Sequence, residues 1–255
     1  MHQFFVKDAQ VGKDFITITG PDLNHMKNVL RMKPGELVRI SSESGHDYRC
    51  SILELTDTFV QLDILDSEVA STELPSRIFL FQALPKGDRM EYIIQKCVEL
   101  GVHEVIPVSM KYCVVKLDKN KAQAKQKRWQ AIAESAAKQS KRSRIPQVHT
   151  LMGFQEAAAY ARECGCRLVP YENERGMQAT MDALQTVRAG QDISVMIGPE
   201  GGFAPEEIAL LREDMQILSL GKRILRTDTA AVTTLSMLML HLEMMEETAD
   251  GSIFG

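Results

Sequence analysis

Two glycine-marked breaks late in the chain constrain its fold more than any other feature: IGPEGGF at 197–203 and LSLGKRILRTDTAAVTT at 218–234. The preceding run DISVM, 192–196, is rich in β-formers and reads as a buried strand, while APEE at 204–207 reads as a helix start. Residues 216–220 repeat the strand signal, Gly221 breaks it, and Thr227 opens a helical pattern through Ala230, Ala231, Thr234, Leu235, Leu238 and Leu242. Two strand-to-helix junctions thus lie about one crossover unit apart. Carboxyl ends of parallel strands are where open α/β sheets bind ligands, because glycine lets the backbone face a small molecule with no side chain between them. Gly198, Gly201 and Gly202 supply that access. Ordinary turns also use Pro and Gly, so the two loops taken together are the more specific signal.

The segments upstream alternate in the same way. Residues 78–84 read as a strand, Pro85-Lys86-Gly87 as a loop, and 88–100 as an amphipathic helix with Met90, Ile93, Ile94 and Cys97 on one face. Asp88 and Glu91 have capping-box spacing, and Gly101 closes the helix. A strand at 102–108 precedes a helix at 121–142, whose apolar stripe is Trp129, Ile132, Ala133 and Ala136. Trp129 therefore reads as core, while Lys121, Lys125, Arg128, Lys138, Lys141 and Arg142 occupy the other faces. Helix at 154–164, strand at 167–171 and helix at 181–187 continue the order, which predicts an α/β domain with a parallel sheet and helices on both faces. Neither GxGxxG after the first strand nor GxxxxGK[ST] occurs, so a dinucleotide or a nucleoside triphosphate is unsupported.

Residues 1 to about 72 have a different texture. Short β-rich runs at 4–6, 15–18, 37–40, 48–55 and 59–64 are separated by Gly, Asp and Ser turns, with one helix at 22–32 between Pro21 and Pro34-Gly35. The acidic, proline-punctuated stretch 66–76 reads as a linker and divides the chain into domains 1–72 and 73–255.

A formal net charge of −4 argues against a nucleic-acid partner, but its distribution argues for one. Residues 111–144 hold eleven Lys or Arg against Asp118 and Glu134, a local +9 that leaves −13 for the rest. Such a stripe is either a footprint for phosphates or a solvated helix face. The five cysteines include no CxxC pair, and Cys164 and Cys166 around Gly165 have no second ligand pair, so a metal site is not expected and a reducing cytoplasm is. MHQFFVK at 1–7 lacks a signal-peptide pattern, and 230–242 is too short and interrupted to span a bilayer, so neither export nor membrane attachment is expected.

IGPEGGF followed by LGKRILRTDTA closely resembles the RsmE-type 16S ribosomal RNA uracil-N3 methyltransferases of the SPOUT superfamily. HMKNVLR at 25–31 is similar to that family's HxxxVLR, the segment from Lys86 through Gln95, Lys96 and Glu99 to Gly101 to its K…QKxxELG, and RWQAIAESAAKQSKR at 128–142 to its RWxxIaxeAxxQsxR. The resemblance implies an N-terminal PUA-like β-barrel that grips RNA and a C-terminal SPOUT α/β domain with a deep trefoil knot. It also implies a homodimer and a reaction that takes the methyl group of S-adenosyl-L-methionine to N3 of a uridine in 16S rRNA, within the 30S particle.

On that resemblance the cofactor loops comprise Pro170, Tyr171 and Glu172; Ile197, Gly198, Pro199, Glu200 and Gly201; and Leu218, Leu220, Gly221, Leu225, Thr227 and Ala230. The residues alone support only a small, largely uncharged ligand there. RNA contacts are expected from His25, Arg31, Lys86, Lys96, Arg128, Lys138 and Arg142. As isolated residues, His25 reads equally as a helix-surface histidine, and Lys96 beside Glu99 as a surface ion pair.

Methylating a uracil nitrogen requires loss of its proton while negative charge spreads onto the carbonyls, so positioning and charge stabilisation carry the catalysis. Arg226 is the expected cation, with Asp228 or Glu200 orienting it or taking the proton. The alternative is an arginine paired to Glu200 or Asp228 that holds the loops together. RTDT stands where the family has RTET, which withdraws the carboxylate by about 1.3 Å and bears on direct proton transfer at Asp228. Two other functions stay open: a SPOUT enzyme acting on another base or a ribose 2′-hydroxyl, and a non-catalytic RNA-binding assembly module.

Overall fold

A computed structural model describes residues 1–67, 69 and 71–249, so Glu68 and Ala70 of the linker and the last six residues lie outside the description. The chain forms two units, Met1–Glu73 with Ala137–Ile145, and Leu74–Ala136 with Pro146–Gly255.

Alternation, interrupted by two register shifts where the fourth strand pairs with the fifth, builds the first unit. β1 (His2–Val6), β2 (Phe15–Ile18), β3 (Leu37–Ser42), β4 (Asp47–Leu55) and β5 (Val60–Asp66) pair in the order β1-β3-β4-β5-β2. Every second residue faces inward: Phe4 and Val6, Ile16 and Ile18, Val38 and Ile40, Cys50 and Ile52, Val60 and Leu62 form one core. The sheet curls into a PUA-like half-barrel, with β1 parallel to β3 and the other pairs antiparallel.

The single helix expected at 22–32 is shorter and irregular. It begins as α1 (Pro21–Asn24), widens into a π-helical turn over His25–Val29, and ends at Arg31 in the left-handed region, φ 53°. The Met32 amide reaches back to the Met26 carbonyl at 2.9 Å, a bond that closes the helix end and lets Leu23, Met26 and Met32 all enter the core.

A buried polar network completes this unit. Asp47, 3 % exposed, accepts hydrogen bonds from the Ser41 and Ser143 hydroxyls and pairs with Arg39 at 2.6 Å. Gln3 Nε2 donates to Ser41 Oγ at 2.8 Å and to the Arg142 carbonyl at 2.7 Å.

The second unit is the expected parallel sheet. β6 (Ile78–Ala83), α2 (Arg89–Glu99), β7 (Glu104–Ser109) and α3 (Lys119–Ser140) are followed by the two-residue strands β8 (Gln147–Val148) and β9 (Met152–Gly153), which carried no sequence signal. Then come α4 (Phe154–Ala161), β10 (Cys166–Pro170), α5 (Gln178–Thr186), β11 (Ile193–Ile197), α6 (Pro205–Arg212), β12 (Gln216–Leu218) and α7 (Thr227–Ala249). The strand order is β12-β10-β11-β6-β7-β8, with β9 also on β7, and all pairs are parallel. Chain order reverses at the β11–β6 neighbours, so the loops after β6, β10, β11 and β12 emerge at one edge of the sheet around a switch point.

Two local expectations change. Asp88 makes no side-chain cap on α2, and the Glu91 carboxylate, which would have supplied the other half of the box, is taken by Arg128 at 2.8 Å. Residues 141 and 142 are not helical: Lys141 has φ 63°, and the chain turns Arg142 inward. Trp129 is core, as its place on the stripe requires.

Candidate functional site

The loops after β10, β11 and β12, with the start of α7, enclose a cavity of about 430 Å³. Pro170, Tyr171 and Glu172 form one wall; Ile197, Gly198, Pro199, Glu200 and Gly201 a second; Leu220, Gly221, Leu225, Thr227 and Ala230 the third. Every residue expected in the cofactor loops lines it except Leu218, the last residue of β12, whose side chain is buried in the sheet. Gly202, already marked by its place in the glycine loop, lines it too, as do Phe203, Ser219, Arg223 and Ile224, which were not singled out by sequence.

Close packing fixes the second wall. A Cβ on Gly198 would stand 2.9 Å from the Phe203 ring, one on Gly201 3.0 Å from Tyr112 Cβ, and one on Gly202, φ 75°, 2.5 Å from Glu172 Oε1. Three polar tethers hold the loop from outside. Thr227 Oγ1 donates to the Gly198 carbonyl at 2.8 Å and accepts from Gln82 Nε2 at 2.9 Å, joining β6 and α7 to the loop. Glu207, 4 % exposed, caps the Ala204 amide at 2.9 Å and accepts the Lys111 amide at 2.8 Å. Glu200 Oε1 accepts the Lys86 amide at 2.9 Å and Arg89 Nη1 at 2.6 Å.

That last contact decides the role of Glu200. Partial burial pushes its carboxyl up, but the Lys86 amide, its own amide and the Arg89 guanidinium outweigh burial and hold it below the ordinary value. A carboxylate so stabilised is a weak proton acceptor at neutral pH and a good anchor. Arg89, absent from the expected set, is its partner; position 89, on the first turn after the β6 loop, was the available clue.

Arg226 lines the cavity, is exposed, and its guanidinium has no hydrogen-bond or ion-pair partner among the described residues. The alternative of a structural arginine paired to Glu200 or Asp228 is therefore not what forms. Asp228 lies on the far side of the α7 start, in a neighbouring cavity of about 460 Å³ with Asp88, Arg89, Tyr92, Thr229, Val232 and Thr233. Its Oδ1 is fully buried and accepts no hydrogen bond.

The residues expected to touch RNA are dispersed. In the first unit, His25 and Arg31 are exposed, with His25 edge-on to Phe4 at 6.3 Å, and Lys138 is 3.6 Å from Asp22. Arg142 is 3 % exposed and its guanidinium is held by Glu73, which also accepts the Ser143 amide at 2.9 Å. The helix pattern that put Arg142 on the surface fails because the left-handed Lys141 turns the chain; a guanidinium enclosed in this way clamps its own loop. In the second unit, Lys86 is exposed, Lys96 pairs with Glu99 at 2.8 Å and Arg128 with Glu91 at 2.8 Å.

Comparison with known proteins accords with this geometry. The RNA methyltransferase domain model matches residues 72–239 and the RNA methyltransferase PUA domain model residues 18–65. The chain is 35% identical to ribosomal RNA small subunit methyltransferase E of Bacillus subtilis over 90% of its own length and 91% of that protein. The protein of the same name from Mesomycoplasma hyopneumoniae is 30% identical, with 92% and 98% covered. Among solved structures, ribosomal RNA small subunit methyltransferase E from Neisseria gonorrhoeae, bound to S-adenosyl methionine, superposes with a TM-score of 0.80 at 29% identity, covering 94% of this chain and 97% of that one. A methyltransferase from Legionella pneumophila with bound SAM gives 0.77 at 31% identity, covering 94% and 98%. A curled PUA-like sheet, a parallel sheet with its cavity at the strand ends, and these matches together place the chain in the RNA methyltransferase family, with the ribosomal RNA small subunit methyltransferases E.

Proposed function

We propose that this protein methylates N3 of a uridine in 16S ribosomal RNA, using S-adenosyl-L-methionine, on the 30S particle in the cytoplasm. The observation that carries the reading is the glycine-walled cavity with Arg226, unpartnered among the described residues, on its rim. Its volume lies in the range of cofactor sites, and its walls offer mostly backbone and the apolar side chains of Ile197, Leu220, Leu225 and Ala230. That lining suits adenine, ribose and a methionine chain, and two relatives of matching fold hold the same cofactor. When bound, the cofactor supplies an electrophilic methyl group on a sulfonium.

The chain's own residues do the rest. Gly198 and Gly201 let the loop backbone pack closely on Phe203 and Tyr112, and Thr227 ties the two cofactor loops together. Arg226 faces the charge that develops on the uracil carbonyls as the nitrogen loses its proton. Asp228, whose free oxygen is already stripped of water, takes that proton. His25, Arg31 and Lys138 of the first unit and Lys86 and Arg128 of the second contribute phosphate contacts, in keeping with the basic excess across 111–144.

The working form in this reading is a homodimer through the domain that carries the trefoil knot. Leu240 and Met244 of α7 are 53% and 57% exposed, a large apolar display for one helix. No described helix is long and apolar enough to cross a membrane.

Labelled S-adenosyl-L-methionine, purified protein and 30S particles from a strain lacking the gene provide the test, with digestion and mass spectrometry of the nucleosides. The expected product is 3-methyluridine in 16S RNA. Label on another base or on a ribose would replace the proposed target, and absence of both cofactor binding and transfer would remove the enzymatic reading.

A further inference from the structure

The loop after β7 lines no part of the cofactor cavity, yet the parallel sheet brings it to the same edge, against the loop after β11. We propose that its outward stripe, Tyr112, Val114 and Lys116, seats unpaired nucleotides of the RNA that flank the methylated one. The tyrosine ring stacks on a base, the valine packs against the next nucleotide, and the lysine takes a phosphate. This extends the methyl-transfer reading to the RNA around the target and rests on it.

Three observations on this loop carry the assignment. First, burial alternates with no strand to explain it. From 112 to 118 the chain belongs to neither helix nor sheet, yet Tyr112, Val114, Lys116 and Asp118 are exposed, Cys113 is buried, and Val115 and Leu117 are half-buried. Tyr112 is 42% and Val114 69% exposed, an apolar pair held in water by the burial of its neighbours and suited to a partner that covers it. Second, the stripe is anchored at its start. The buried Glu207 carboxylate accepts the Lys111 amide at 2.8 Å, and the Cys113 amide returns to the Met110 carbonyl at 3.1 Å. Gly201 packs on the Tyr112 Cβ and carbonyl and also lines the cofactor cavity, so a single residue joins the stripe to the methyl donor's site. Third, the charge fits a polyanion. Residues 111–121 hold four lysines against Asp118. Lys111 pairs with Glu206 and Lys121 with Asp118, while Lys116 and Lys119 are exposed and have no hydrogen-bond or ion-pair partner among the described residues. Of the two aromatics in the basic stretch 111–144, Trp129 is core and Tyr112 reaches solvent.

The make-up of the stripe selects unpaired RNA over a duplex. A duplex stacks its bases on one another and shows phosphate and ribose, which would use the lysines and leave the ring idle; a splayed base offers its face to the tyrosine. Alternate side chains of an extended run stand about 7 Å apart, twice the spacing of about 3.4 Å between stacked nucleotides of one strand. Successive outward side chains therefore address nucleotides already parted from each other. Lys111 Nζ lies over the Tyr112 ring, 5.8 Å from its centroid, so the cation takes one face and a base takes the other. None of these residues belongs to α7, whose Leu240 and Met244 serve the proposed dimer.

The test compares the full-length parent with Tyr112→Ala, Tyr112→Phe and Lys116→Gln. Each is measured for binding of a fluorescein-labelled oligouridylate and of a duplex RNA of the same length by anisotropy, for methylation kinetics on 30S particles lacking the modification, for calorimetric binding of S-adenosyl-L-methionine, and for sedimentation. Tyr112→Ala is expected to weaken the oligouridylate about tenfold and to raise KM for the particle by a similar factor with little change in kcat. Its affinity for the cofactor and for the duplex should stay parent-like, because alanine keeps the Cβ and carbonyl on which Gly201 packs. Tyr112→Phe should match the parent in every measurement. Lys116→Gln should reduce the slope of log affinity against log salt by about 0.7, a slope that Tyr112→Ala leaves alone. Parent-like oligouridylate affinity and KM in Tyr112→Ala would overturn the seat, and so would an equal loss on the duplex. A Tyr112→Ala that sediments more slowly than the parent and regains activity at high protein concentration would also overturn it, because the stripe would then belong to a second copy of the chain. A parent that binds no cofactor and methylates no RNA would instead overturn the methyl-transfer reading, and with it the place of the stripe beside a target.

Discussion

Gly198 shows how little room the cofactor loop has. A Cβ there meets the Phe203 ring at 2.9 Å, and Phe203 is itself buried and part of the cavity wall, so the ring or the loop must shift and the wall changes shape. Gly198→Ala is therefore expected to weaken S-adenosyl-L-methionine binding at least about tenfold by calorimetry, equivalent to about 1.4 kcal/mol, while far-ultraviolet circular dichroism stays parent-like. An unchanged dissociation constant would mean that the ligand does not approach this wall. The cavity residues were legible in the sequence because glycine and proline at strand ends report backbone geometry directly. Leu218 was not, since it still belongs to the strand and points into the sheet. Asp228 and Thr227 are adjacent in sequence, yet a helix turns each successive side chain by about 100°, and they line different cavities. Which face each would take depends on how α7 is rotated, and nothing local encodes that.

Among the elements, the start of β7 carries a cluster the chemistry does not use. Glu104 Oε2 is 2.6 Å from His149 Nε2 and accepts the Tyr160 hydroxyl at 2.8 Å. Burial pushes the Glu104 carboxyl up, and these two bonds with the nearby histidines outweigh it and hold the group below its ordinary value. A depressed carboxylate contributes stability above the unfolded value, about 4.3 for Glu, and loses it as pH falls through the lower folded value. The difference in melting temperature between the parent and Glu104→Gln should thus be largest near neutrality and shrink below about pH 4; a gap that stays constant from pH 7 to 3 would contradict it. In the first unit, Asp47→Ala removes the acceptor of Ser41, Ser143 and Arg39 together. Breaking a buried pair of this kind costs about 3–5 kcal/mol, readable as a lower urea midpoint. Long strands were legible through alternation, and α2, α3 and α7 through their apolar stripes. The π-helical turn at His25–Val29 was not, because one inserted residue changes a helix's hydrogen bonding without changing its composition. The capping box at Asp88 was a false signal: Asp88 makes no side-chain cap, and the Glu91 carboxylate pairs with Arg128, thirty-seven residues away, a partner its local spacing could not reveal.

For the whole molecule, the proposed homodimer makes a measurable claim. Replacing Leu240 and Met244 by Glu should shift sedimentation from dimer toward monomer, and a parent that already sediments as a monomer would remove the claim. The linker composition at 66–76 marked where the chain changes texture, and 1–72 reads from it as a contiguous block. What no local signal could show is that Ala137–Ile145 returns to the first unit, because its bonds join residues as far apart as Gln3 and Arg142.

That return sets a clock on biosynthesis. The half-barrel strands are complete once Asp66 has been made, but Asp47, Gln3 and Glu73 wait for Arg142 and Ser143. At about 5–20 residues per second, the roughly seventy intervening residues take about 4–14 s to emerge. Through that interval the nascent first unit carries a buried carboxylate lacking one of its donors, and a chaperone has its opportunity there. Synonymous codons that slow translation between Leu74 and Ala136 would lengthen the exposure without altering a single residue of the finished protein.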